Sequence, residues 1–510
     1  MTDPEAQAAG PLVDGRSRSQ TGPITRRGYV LVILMITAAL AAVEGTIVAT
    51  AMPSIVASLG GFEYYSWVFA AYLLSQAVST PIFGRLADLH GRKNVLIIGI
   101  AAFLAASIAC GFATSMPMLV VFRLLQGLGA GSTMTIVSTL AGDLFDVHER
   151  GRVQAYLSSV WGVSAVLGPL LGGALVEHAH WSWIFWFNVP IGIIAIVGLR
   201  LFLHETPVPR KADLDLVSAG LLFVAIGAMM LLFTQGPAWG WLPSLGLVVL
   251  SVVTGSRFFA RQMRVPEPLI SSETWSDRLL LLANLVTFGA GMLMIGLVTY
   301  SPTYVQGVMG YSPTVAGLTL TAMSFGWTLA SVMAGRLVVP LGPAMTGRLG
   351  GVFAFLGGAM YLFLTPARGP WWVAASSAIV GLGLGFLMTT TIVTIQTLVS
   401  WQRRGTATAT NMLMRILGNS VGAAFLGGIL NLALNRAVVT LPGASGDPTE
   451  RARVLAQIES LLTPGAEDVA DDALVGLLAG GLHVVYIGVF VTGIVVLLLA
   501  FALPRSRRLA

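Results

Sequence analysis

The sequence predicts an all-α membrane protein in which fourteen transmembrane helices form two parallel six-helix bundles with two further helices inserted between them. Three observations predict this. Mean hydropathy is +0.81, and 55% of the 510 residues are hydrophobic, more apolar surface than a water-soluble chain buries. Apolar runs of about 20 residues, long enough to cross a bilayer, recur along the whole chain. The second half also echoes the first. Gly127, Gly129 and Gly131 recur 254 positions later as Gly381, Gly383 and Gly385, and the same offset carries Arg150-Gly151 to Arg404-Gly405, Gly168 to Gly422 and Gly173 to Gly427. Gly84-Arg85-Leu86 returns as Gly335-Arg336-Leu337 at an offset of 251, after which Gly91 matches Gly342. Both copies start on the same side of the membrane, so the repeat is parallel.

Residues 1–27 are polar and lack a cleavable signal architecture, because the apolar run behind them is too long for an h-region. They are expected to be a disordered cytoplasmic tail. Spans near 29–51, 64–83, 94–113, 118–141, 153–176 and 183–203 make an N-terminal six-helix bundle, 28–204. Spans near 214–234 and 245–262 lie in 205–278, have no counterpart in the repeat and read as the insertion; Gly236-Pro237 and Trp241-Leu242-Pro243 crowd the turn between them. Spans near 279–300, 314–335, 348–366, 371–398, 407–432 and 483–503 make the C-terminal bundle, 279–504, followed by a short cytoplasmic tail, 505–510. The long extracytoplasmic loop of that bundle, about 433–482, contains a stretch, 448–462, with Val454, Ile458, Leu461 and Leu462 at helical spacing. That pattern fits an amphipathic helix on the membrane surface and equally a partly ordered connector.

Basic residues orient the chain, since cytoplasmic loops are enriched in them. With the N-terminus inside, 23 of the 29 Lys and Arg face the cytoplasm; Arg368, Arg436, Arg451 and Arg453 fall outside, and Arg123 and Arg415 lie within spans. Both termini are then cytoplasmic, in a multi-pass protein of the cytoplasmic (inner) membrane. The net charge of +6 is explained by topology, so no nucleic-acid partner is expected. Cys110 is the single cysteine and sits in the third span, which excludes an intrachain disulfide and a cysteine metal cluster. Neither HExxH, GxSxG nor Walker A patterns occur. The chain is therefore not expected to be an enzyme or an ATP-driven pump, and no cofactor or metal is expected.

A charge inside a membrane helix costs several kcal/mol and calls for a reason. Glu44 is the one carboxylate well inside a span, about 15 residues in and therefore roughly 22 Å deep. Arg123 enters from the opposite side about six residues into the fourth span, roughly 9 Å deep. In an apolar core of about 30 Å these depths nearly coincide, so the geometry allows a Glu44–Arg123 contact, direct or through water. A static ion pair that fixes helix packing is the plainer reading.

The surrounding motifs carry a resemblance. The run Val43-Glu44-Gly45-Thr46-Ile47-Val48-Ala49-Thr50-Ala51-Met52-Pro53 is similar to the first-helix signature of the fourteen-helix drug:proton antiporters of the major facilitator superfamily, with Glu44 where that branch usually has Asp. Arg123-Leu124-Leu125-Gln126-Gly127 resembles its fourth-helix signature, in which the arginine is linked to proton transfer. Residues 84–93, Gly-Arg-Leu-Ala-Asp-Leu-His-Gly-Arg-Lys, resemble the superfamily's loop between helices two and three, although Leu89 stands where a basic residue is usual. The fifth span carries Gly162, Gly168-Pro169 and Gly172-Gly173, similar to the glycine-rich signature associated with antiport.

The resemblance implies the major facilitator fold and a proton-coupled exporter of hydrophobic or amphipathic small molecules, working by rocker-switch alternating access. It implies that Glu44 and Arg123 couple the proton. Desolvation favours the neutral acid and Arg123 favours the carboxylate, so a conformational change can switch the balance. Gly84 and Gly91 would permit a tight loop, Asp88 would face a helix N-terminus of the second half, and Arg92 would pair with Asp143, closing the inner side; the basic residues also anchor topology. Gly162, Gly168, Pro169, Gly172 and Gly173 would form a close, deformable seam. Gln126, Trp161, Asn411 and Arg415 are candidates to line the substrate cavity. The threonines 389–391 read more simply as backbone-bonded packing. Expected partners are the proton, an amphipathic substrate and the lipid bilayer, with the protein monomeric. A lipid or glycolipid transporter of the same superfamily is the alternative.

Overall fold

The computed structural model describes residues 27–145, 147–205, 215–265, 277–399, 404–439 and 472–504, together with Val454, Gln457 and Ile458. In lipid each backbone amide and carbonyl must be satisfied within the protein, which leaves an apolar chain of this kind the helix. The helices are α1 (Arg27–Leu59), α2 (Tyr65–His90), α3 (Arg92–Gly111), α4 (Met116–Leu144), α5 (Val147–His178), the single turn α6 (Trp183–Trp186) leading into α7 (Asn188–Phe202), α8 (Leu216–Trp239), α9 (Trp241–Gln262), α10 (Arg278–Gly307), α11 (Pro313–Leu362), α12 (Gly369–Leu398), α13 (Arg404–Val439) and α14 (Asp472–Ala502). Twelve helical segments of the described residues are long and apolar enough to cross a membrane. With α6 and α7 counted as one pass, and α11 as two arms meeting at Gly342, the passes number fourteen. Arg27 and Ala502 therefore lie on one face, called here the terminal face; the other is the far face.

Three connections are shorter than the sequence suggests. Residues 84–93 resemble a loop between two helices, but α2 continues through His90 and α3 begins at Arg92, leaving Gly91 alone outside the helices at φ 87°. Gly342 makes the same break between the arms of α11 at φ 78°. Gly240 does so between α8 and α9 at φ 87°, so Gly236-Pro237 lies inside α8 rather than in the turn. A positive φ costs glycine little and any other residue more. One glycine thus reverses the chain where polar loops were expected.

The repeat is visible in how helices touch. The glycines of α4 admit neighbouring backbones: a Cβ on Gly127 would strike Tyr72 of α2, and one on Gly129 would strike Phe103 of α3. In the second half, a Cβ on Gly381 would strike Met323 and one on Gly383 would strike Ala354, on the two arms of α11. These partners are themselves offset by 251 positions, so the same close packing is built twice.

Helices α1 to α7 pack on one another, and α10 to α14 form the second group. The groups meet through α5 against α11, α2 against α13, and α1 against α10. Helix α8 covers the α2–α13 side of this seam, and α9 packs on α8 with most of its surface exposed. Asp215 caps α8, accepting from the Ser218 amide at 3.1 Å and from the Ser218 hydroxyl, and a further contact, from Arg261 Nε at 3.0 Å, ties the start of α8 to the end of α9. Of the loop segment 448–462, Val454 and Ile458 are helical and buried in the largest apolar cluster, while Gln457 between them is exposed.

Candidate functional site

Glu44 and Arg123 meet directly, and both are fully buried. Arg123 Nη1 donates to Glu44 Oε1 and, at 2.6 Å, to Gln126 Oε1; its Nε donates to the Val68 carbonyl at 3.1 Å. The guanidinium also lies 4.1 Å from the centre of the Tyr72 ring, a cation–π contact strengthened by the dry surroundings. The second carboxylate oxygen, Glu44 Oε2, accepts from Asn188 Nδ2 at 2.6 Å. Gln126 passes the network on, donating to Ser107 Oγ at 2.8 Å. Five helices, α1, α2, α3, α4 and α7, therefore enclose a carboxylate whose two oxygens have different partners, one cationic and one neutral. A buried ion pair of this kind survives because its remaining hydrogen-bonding capacity is filled; removing one member leaves an uncompensated charge, at a cost of about 3–5 kcal/mol.

On the terminal face Arg92 is ion-paired with Asp143 at the end of α4. Gly84 and Gly91 lie where α2 approaches and ends; the side chain of Asp88 lies outside the described residues. Sequence reasoning missed Glu205. Its carboxylate accepts from the backbone amides of Arg92 at 2.9 Å and Lys93 at 2.6 Å, so it caps α3 from a distant part of the chain. Lys93 reciprocates by donating to the Arg200 carbonyl at 3.1 Å and to Leu203, where α7 ends. An acidic residue just behind a long apolar run is an ordinary topological flank, and nothing local in the sequence reveals its target.

The α5 glycines divide between two neighbours. A Cβ on Gly168 would meet Thr46 and one on Gly172 would meet Ile47, both on α1, whereas Gly173 faces Pro313 and Thr314 at the start of α11. Gly317 of α11 in turn lies against the Pro169 carbonyl. Gly162 lies within α5, its surroundings outside the described residues. The seam has a counterpart, for Gly427 of α13 packs on Ser66 at the start of α2. Hydrogen bonds joining the halves lie towards the same far face. Tyr65 Oη contacts the Thr299 carbonyl at 2.8 Å and Thr303 Oγ1 at 2.7 Å, Gln306 Nε2 donates to Thr50 O at 3.1 Å, and Thr314 donates to Glu177.

Two of the four cavity candidates lie in hydrogen-bond networks within one group. Gln126 is fully buried and committed to Arg123 and Ser107 inside the first group. Asn411 is buried between α10 and α13, donating to Asn284 Oδ1 at 3.1 Å and Thr287 Oγ1 at 2.9 Å. Both are polar residues at helical spacing beside a functional-looking arginine, but their amides satisfy neighbouring helices. Trp161 and Arg415 do come together across the seam, the guanidinium carbon 6.0 Å from the ring centre.

Comparisons with known proteins agree on one family. The model described as Major Facilitator Superfamily matches residues 34–423. The Multidrug transporter protein MdtP of Bacillus subtilis (strain 168) is 30% identical over 452 residues, covering 87% of this chain and 83% of that protein. Multidrug resistance protein 3 of the same organism is 30% identical over 479 residues, covering 92% and 93%. Among solved structures, a bacterial homologue of the human lysosomal transporter Spinster, inward-facing and unoccupied, superposes with a TM-score of 0.68 at 16% identity, covering 93% of this chain and 96% of that one.

Proposed function

Because the chain belongs to the Major Facilitator Superfamily, we propose that it is a proton-coupled antiporter exporting hydrophobic or amphipathic small molecules by rocker-switch alternating access. Relatives named as multidrug transporters, matched over most of both lengths, support the efflux reading. The observation that carries proton coupling is the Glu44–Arg123–Asn188 cluster: a carboxylate dry and deep in a membrane helix, held by one cation and one amide. When the far face opens, water reaching Glu44 allows it to take a proton. Arg123 then keeps Gln126 and the Val68 carbonyl, so its charge remains solvated by the protein. When the terminal face opens, Arg123 draws the carboxylate back and the proton leaves.

In this reading the α5 seam and its counterpart at Gly427 are the surfaces on which the halves rock, and the contacts of Tyr65, Gln306 and Glu177 seal the far side. Arg92, Asp143 and Asp88 belong to the opposite gate. The protein sits as a monomer in the cytoplasmic membrane with both termini inside, an orientation supported by the 23 basic residues on that side.

The test is transport by purified protein in proteoliposomes with an imposed pH gradient. Wild-type protein is expected to drive efflux of a lipophilic dye while dissipating the gradient. Glu44→Gln should remain folded and lose gradient-driven efflux; dye movement at wild-type rate would sink the proposal. Labelled-lipid movement without dye transport would favour lipid export instead.

A further inference from the structure

Arg415 is the feature that the coupling cluster leaves unexplained. It lies on α13, about 11 residues from the start of the helix and so roughly 16 Å along it. Trp161 is about 14 residues into α5, roughly 21 Å along, and both helices begin on the terminal face. The two therefore face one another near mid-membrane, where an arginine is normally paired or bound to backbone carbonyls. Among the described residues Arg415 has neither, and the one ring its guanidinium faces is Trp161, 6.0 Å away. It is half-buried and Trp161 is 39% exposed, so both border an opening rather than packed core.

No acid is placed to neutralise it. The sequence contains no Asp or Glu between Asp277 and Asp447, which covers α10, α11, α12 and α13. Helix α5 has none between Glu149 and Glu177, near its two ends. Glu44, the carboxylate at similar depth, already has both oxygens occupied. A lone cation and an aromatic face thus meet across the seam between the halves.

We propose that this opening binds amphipathic organic anions, with Arg415 holding the sulfonate or carboxylate and Trp161 packing against the apolar body. The proposal rests on the efflux reading and narrows its substrate class. The anion supplies the countercharge that the fold withholds, and a planar guanidinium matches a carboxylate or sulfonate through two donors. A hydrophobic cation, in contrast, meets like charge at mid-membrane.

Equilibrium binding to the full-length protein in detergent tests it, using three probes on one ring system: 2-naphthalenesulfonate, uncharged 2-naphthalenesulfonamide and 2-naphthyltrimethylammonium. Wild-type protein should bind the sulfonate at least tenfold more tightly than the sulfonamide, and the ammonium most weakly. Arg415→Gln should remove the sulfonate preference without weakening the ammonium, and Arg415→Lys should keep part of it. Equal affinities in the wild type, a comparison that needs no variant to fold, would overturn the proposal. So would a sulfonate preference that survives in Arg415→Gln. No gradient is applied, so these results stand apart from proton coupling, which the Glu44→Gln transport assay decides.

Discussion

At the scale of single residues, the proposed proton coupling rests on the two oxygens of Glu44, which have different partners. Oε1 belongs to Arg123 and Oε2 to Asn188. A hydrogen bond to a charged group is worth about 1.5–3 kcal/mol, so the contact from Asn188 helps to hold the buried cluster together. Asn188→Ala removes that donor. Gradient-driven efflux is therefore expected to fall about tenfold or more, measured as initial dye efflux in proteoliposomes. A merely structural role would lower thermal stability and leave the initial rate per folded protein in place. Glu44 and Arg123 were legible in the sequence because a charge in an apolar run has no inexpensive explanation. Asn188 was not, since one amide near the end of a run is unremarkable until folding brings it 144 positions back to Glu44.

At the scale of elements, α5 works through the absence of side chains. Gly168 and Gly172 admit α1, while Gly173 admits the first turn of α11. The glycine pattern was readable, but its division between a neighbour within the group and one across the seam was not, because that depends on helix rotation. Gly173→Leu places four carbons against the Pro313 carbonyl and Thr314 Cα, and overpacking of this kind costs about 1–3 kcal/mol. The far side should then fail to seal. A Glu177→Cys, Thr314→Cys pair in a Cys110→Ala background is expected to cross-link readily with Gly173 present and several-fold more slowly once the Gly173→Leu change is added; equal rates would refute the seam.

The inserted hairpin is tied by Asp215. Burial raises the proton affinity of its carboxyl, but the Ser218 hydroxyl and amide and the Arg261 guanidinium together hold it below the ordinary carboxylate range. Asp215→Ala should cost about 1 kcal/mol, as expected for a lost N-cap, seen as a lower thermal unfolding temperature. Because the folded-state value is depressed, the wild-type advantage exists above the ordinary carboxylate range and is lost as pH falls through the folded value. The two proteins should therefore converge in acid.

At the scale of the whole molecule, the duplicated bundles were legible because the glycine repeat survives at nearly constant offset. Which face is sealed was not, since the contacts that seal it join residues 137 to 256 positions apart. That seal is polar and incompletely satisfied. Thr50, Ser54, Ser66, Thr299 and Tyr300 each bury a hydroxyl, and Gln306 its carbonyl oxygen, without a partner among the described residues. Each such group costs about 1–3 kcal/mol relative to a hydrated one, which opening to water would recover. Apolar packing holds the face shut and these groups favour release, as the proposed alternation between two states of similar free energy requires.

Tyr65 is the point at which to shift that balance. Its hydroxyl bonds the Thr299 carbonyl and Thr303 Oγ1 across the seam, and its ring stacks on Tyr300, centroids 5.7 Å apart. Tyr65→Phe keeps the ring and removes both hydrogen bonds, a loss of about 1–2 kcal/mol from the sealed state alone. The open population should rise about five- to thirtyfold, read as faster thiol labelling of a cysteine at Ser66 in the Cys110→Ala background. Tyr361 supplies the control, because its hydroxyl contacts Ser301 and Ser377 within the second group. Tyr361→Phe should lower thermal stability without accelerating that labelling. If both variants label alike, the Tyr65 contacts are packing and the seal is held elsewhere.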